Sequence, residues 1–167
     1  MGKYLLSIFL ILLGFALLES AVLSNIIFLP VIPDFLLICV IYYSFQHGKT
    51  IGETSGFMSG LFIDFLSGCP FGLNCLLRTV IGYVCGFFNR TFAMEGFLVP
   101  AALSLVATIF KVLLTQIISL FYPSVVNSYH IFSLDFGFEL LMNTLFAPVI
   151  VKFLGFFDDL FPLQEKL

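Results

Sequence analysis

Tryptophan is absent from this chain of 167 residues, and charged side chains make up only 10% of it. Soluble domains carry about 25% charged residues, so a composition that is 60% hydrophobic argues against a soluble fold. With Trp missing, any aromatic belt at a membrane surface has to come from Tyr and Phe. No basic run or cluster exists to meet a nucleic acid. The cysteines Cys39, Cys69, Cys75 and Cys85 form no CxxC pair, and His47 and His130 fall in separate loops, which leaves no spacing for zinc or a redox centre. Cys69 and Cys75 alone lie close enough to one face to consider a disulfide, and the reading is packed, reduced thiols. Neither HExxH nor GxSxG occurs, and no serine stands in register with a histidine. The expectation is a chain without cofactor, metal or catalytic residues. No low-complexity segment or linker divides it, so residues 1–167 read as a single integral membrane domain.

What the chain does have is a patterned stretch from Gly52 to Gly86. Gly52, Gly56 and Gly60 recur at every fourth position, and the next residue in that register is Asp64. Beyond the tight turn built on Gly68, Pro70 and Gly72, the spacing returns as Arg78, Gly82 and Gly86. Positions four apart share a helix face, so each segment carries a stripe of small residues ending in a charge. In lipid, small residues let two helix backbones approach for dispersion contact. The reading is a helical hairpin packed through its glycines and locked by an Asp64–Arg78 ion pair, the arginine stem snorkelling to close the offset in depth.

Apolar runs place six spans, at about residues 4–24, 34–47, 51–67, 71–88, 97–121 and 134–157. The first resembles a signal peptide at its start, but it runs past Glu19 without a convincing cleavage site, and it is read as a retained span. Pro33 and Asp34 open the second, with Asp34 as N-cap. Pro148 is expected to kink the sixth. Lys3, Lys49, Arg90, Lys152 and Lys166 all fall on the side of the termini, and the opposite connections hold no lysine or arginine. By the positive-inside rule both termini are cytoplasmic.

Glu19, Asp64, Arg78, Lys111 and Glu139 are the ionisable residues inside spans, and the topology puts all of them in the outer half of the bilayer. Each would cost about 2.5–3.5 kcal/mol at a helix centre. They are therefore expected to face inward and share one polar cluster. Such a cluster either specifies packing or forms an outward-opening pocket for a ligand or partner side chain. Asp34, Glu53, Glu95 and Asp135 lie at span ends and read as solvated or capping groups. Asp64 and Glu139 are formally a carboxylate pair, but adjacent Arg78 and Lys111 would keep both ionised, against paired-acid catalysis.

The segment Pro33-Asp34-Phe35-Leu36-Leu37 through Tyr42-Tyr43, and Gly56-Phe57-Met58-Ser59-Gly60-Leu61-Phe62-Ile63-Asp64 continuing to Gly68-Cys69-Pro70-Phe71-Gly72, resemble the bacterial rod-shape-determining MreD family. Ile81-Gly82-Tyr83 and Gly86 extend the match. The resemblance implies an all-α, six-helix polytopic protein of the bacterial inner membrane, without enzymatic activity, that binds the bitopic protein MreC. It further implies membrane lipids, MreB, RodA and a class B penicillin-binding protein as surroundings, and leaves a homodimer open. The family also resembles the substrate-binding subunits of energy-coupling-factor vitamin transporters. That gives a second reading, a vitamin-binding transporter subunit, which the missing Trp weakens.

Overall fold

A computed structural model describes residues 2–21, 31–68, 70–89, 96–123 and 133–160. All regular structure among these residues is helical: α1 (Gly2–Ala21), α2 (Phe35–His47), α3 (Lys49–Leu66), α4 (Leu73–Phe87), α5 (Leu98–Phe121) and α6 (Leu134–Leu160). Three of them, α1, α5 and α6, are long and apolar enough to cross a membrane, and α2 and α4 are shorter apolar helices. The cysteine and loop positions Cys69, Arg90, Glu95 and His130, with Lys166, lie outside the described residues.

The outward faces have the chemistry of lipid contact. Leu98, Leu120 and Leu134 are each at least 80% exposed, and Val106, Leu113, Ile117, Leu141, Leu145 and Val149 continue apolar surface along α5 and α6. Contiguous apolar surface on this scale is foreign to soluble monomers. Together with the three long apolar helices it makes this a membrane protein.

Helix α2 occupies the middle. Every residue from Phe35 to Phe45 is buried, and the helix touches each of the other five. At 13 residues it rises only about 20 Å, short of a hydrocarbon core of about 30 Å. Enclosure by longer neighbours removes the need for it to match the bilayer. Gly48, with φ of +83°, then reverses the chain directly into α3.

The most extensive helix pair is α3 with α4, and its glycines are in backbone contact. A Cβ built on Gly52 would overlap the Gly82 carbonyl oxygen, one on Gly56 the Arg78 carbonyl, one on Gly60 the backbone of Asn74 and Cys75, and one on Gly86 the backbone of Lys49. Ser55 and Ser59, on the same face, return their hydroxyls to the carbonyls of Gly52 and Gly56 at 3.0 Å and so bury no unpaired donor. Helix α6 continues through Pro148 and carries Asp158 inside its last turns, where the sequence suggested that the span had already ended.

Candidate functional site

At the end of the bundle where α1 and α3 finish and α2, α4 and α6 begin, the in-span cations Arg78 and Lys111 converge on a residue that the sequence reading had assigned to a span end. Asp34 is 4% exposed, so of the two expectations for it, solvated or capping, the cap is what the structure shows, and it is buried. Its Oδ1 caps α2 by accepting from the Leu37 N–H at 2.9 Å and also accepts from Arg78 Nη2 at 2.7 Å. Its Oδ2 accepts from Lys111 Nζ at 2.7 Å. The same ammonium donates to Glu139 Oε1 at 2.6 Å. One carboxylate therefore ties α2 to α4 and α5, and Lys111 carries the tie on to α6.

The proposed Asp64–Arg78 lock does not form. Asp64 is buried, but it turns toward the start of α4 and accepts from the backbone N–H groups of Gly72 at 2.9 Å, Asn74 at 3.1 Å and Cys75 at 3.1 Å, and from Asn74 Nδ2 at 3.0 Å. Four orphan N–H groups open every helix, and a carboxylate there also meets the positive end of the helix dipole. Asp64 is thus the clasp of the α3–α4 turn, in which Gly68 and Gly72 take positive φ (+64° and +93°). Pro70 contributes its carbonyl to the Leu73 N–H at 3.1 Å. Arg78 shares the glycine register, but there its backbone is what Gly56 packs against, and its side chain leaves for α2.

A second polar layer joins this cluster and went unread in the sequence. Asn143 is fully buried; its Oδ1 accepts from the Asp34 N–H at 2.7 Å, and its Nδ2 donates to Thr108 Oγ1 at 3.1 Å. Ser104 donates to the Asn143 carbonyl at 3.2 Å. The signal existed: Ser104, Thr108 and Lys111 are spaced by four and three along α5, and Glu139 and Asn143 by four along α6, so each set lies on one helix face.

A cavity of about 370 Å³ opens beside these groups, lined among others by Glu19, Asp34, Arg78, Lys111, Asp135 and Glu139. Of the five in-span charges read from the sequence, four therefore border one cavity, and Asp64 stands apart at the turn. Glu19 accepts weakly from the Leu36 N–H at 3.4 Å, and Asp135 is exposed at the start of α6. Arg78 is 3% exposed, yet its Nε and Nη1 are without an acceptor among the described residues. Each such buried donor costs about 1–3 kcal/mol. Among the described residues no group of three or more His, Cys, Asp or Glu is placed to hold a metal ion.

At the opposite end, Asp158 of α6 gathers Tyr42 at 2.8 Å, Tyr4 at 3.2 Å and His47 Nε2 at 3.0 Å, and Tyr4 also meets His47. This cluster fastens α1, α2 and α6 together, and places His47 in the last turn of α2, not in a loop.

Comparison with protein families matches residues 2–157 to the rod shape-determining protein MreD. No curated protein and no solved structure matches the chain.

Proposed function

The chain belongs to the MreD family, whose role is in rod-shape determination, and we propose from that membership that it is a non-catalytic scaffold of the cell-elongation machinery in the bacterial inner membrane. The family match over nearly the whole chain carries this reading. It is supported by the exposed apolar faces of α5 and α6, which leave partners to be recruited mainly within the bilayer, where packing and interhelical hydrogen bonds drive association. In this proposal all six helices form one membrane unit with both termini cytoplasmic. A bitopic MreC-like protein is its direct partner, and MreB, RodA and a class B penicillin-binding protein belong to the same assembly.

The cluster around Asp34 serves this role by fixing α2, α4, α5 and α6 against one another, so that a partner meets one surface. The test is crosslinking and copurification from native membranes, with depletion in the host. A bitopic partner should copurify, and depleted rods should round while the lipid-linked wall precursor stays at its normal level. Stoichiometric vitamin in the purified protein, without a bitopic partner, would overturn the scaffold in favour of a transporter subunit.

A further inference from the structure

At the end of the bundle opposite Asp34, a groove of about 1070 Å³ runs along the last turns of α6, from Pro148 to Asp158. Phe97 at the head of α5 and Tyr42 of α2 also line it. Most of its wall is apolar. Val149, Phe153 and Phe156, each at least half exposed, carry that wall out onto the lipid-facing surface. An occupant therefore enters from the bilayer and is apolar over most of its length.

One cation interrupts the apolar lining. Lys152 borders the groove and is exposed, and among the described residues no carboxylate pairs with it. Asp158 borders the same groove, but its two oxygens are engaged by Tyr4, Tyr42 and His47, so the charge still unanswered there is positive. Helix α6 has 27 residues, about 40 Å at a rise of about 1.5 Å each, against a hydrocarbon core of about 30 Å. Centred in the bilayer, it puts the Lys152 backbone about 7 Å inside the hydrocarbon edge. From that depth a lysine stem snorkels its ammonium to the level of the lipid phosphates.

We propose that this groove is a binding site for an anionic phospholipid. An acyl chain lies along Val149, Phe153 and Phe156, and the phosphate meets Lys152. Lysine near a membrane surface attracts anionic lipid. A net-neutral headgroup, such as that of phosphatidylethanolamine, adds an ammonium to a groove whose carboxylate is already engaged. The proposal goes beyond the scaffold reading and holds whichever end of the bundle faces the cytoplasm.

Native mass spectrometry of the full-length protein from nanodiscs of equal phosphatidylglycerol and phosphatidylethanolamine reads which lipid stays bound. Phosphatidylglycerol should be retained about fivefold over phosphatidylethanolamine, the scale of one lysine at an anionic surface. Lys152→Gln should bring that ratio to about unity. Lys49→Gln removes an exposed cation that sits over Phe87 and not on the groove, and should leave the ratio unchanged. Gly155→Leu tests the space. A Cβ there meets only the Tyr42 hydroxyl, at 3.8 Å, so this variant should keep its melting temperature and retain less lipid. Equal retention of the two lipids, a preference that survives Lys152→Gln, or unchanged retention in Gly155→Leu would each overturn the proposal. So would a photocrosslinker at Val149 that captures protein and no lipid in native membranes, because the groove would then belong to a partner's helix.

Discussion

At the scale of single residues, burial and pairing separate two aspartates that look alike in sequence. Asp34 balances two cations, so Asp34→Ala leaves Arg78 uncompensated away from water and Lys111 with Glu139 alone, and breaking a buried pair costs about 3–5 kcal/mol. Asp64→Ala removes a helix cap, which costs about 0.5–2 kcal/mol. A double-mutant cycle decides between the two arrangements. Asp34→Ala with Arg78→Ala should show a strong coupling energy in detergent unfolding, because each single variant strands the other's partner. Asp64→Ala with Arg78→Ala share no hydrogen-bond partner and should add to within about 0.3–0.5 kcal/mol. Coupling in the second cycle and not the first would restore the Asp64–Arg78 lock. A third expectation concerns Asn143: its replacement by Leu should cost about 1–3 kcal/mol, by stranding the Asp34 N–H, while the Thr108 hydroxyl keeps its donation to the Ser104 carbonyl. The cap at Asp34 was legible because a Pro-Asp pair before an apolar run is a local signal. Its ion pairs were not, because the partners lie 44 and 77 residues away, and no local pattern distinguishes a cap that is solvated from one at the centre of a bundle.

At the scale of helices, the glycine stripes were legible for the same reason: a period of four within one segment declares a face before any partner is known. The centrality of α2 was not. A helix buried on every side has no hydrophobic periodicity to read, and its shortness looks like a weak span until its neighbours are seen to enclose it. The two cases predict opposite responses to the same chemical change. Ala is better than Gly in a helix by about 1 kcal/mol, and at Gly14 a Cβ meets no atom, so Gly14→Ala should be neutral or stabilising. At Gly56 or Gly82 the added carbon falls on backbone of the facing helix, which cannot rotate aside. There overpacking should cost about 1–3 kcal/mol. Thermal unfolding in detergent measures all three variants, and equal melting temperatures would show that α3 and α4 do not pack through these glycines.

For the molecule as a whole, composition was enough to place it in a membrane, but orientation rests on the distribution of a few cations. The helices put Asp34, Ser67 and Arg78 at one end of the bundle and His47, Thr50 and Asp158 at the other. The lysines divide unevenly between those ends: Lys49 begins α3 and Lys152 lies toward the far end of α6, while Lys111 is committed within the bundle to Asp34 and Glu139. A cation consumed by an internal ion pair gives no orientation signal, so the exposed Lys49 and Lys152 count for more than the total. The Thr50 end is then expected to face the cytoplasm. In a background lacking Cys39, Cys69, Cys75 and Cys85, single cysteines at Ser67 and Thr50, both exposed, report this directly. With the outer membrane permeabilised, an impermeant maleimide should label Ser67→Cys in intact spheroplasts and should reach Thr50→Cys only after the inner membrane is opened. Labelling of Thr50→Cys in intact spheroplasts would invert the molecule and turn the Asp34 cavity toward the cytoplasm.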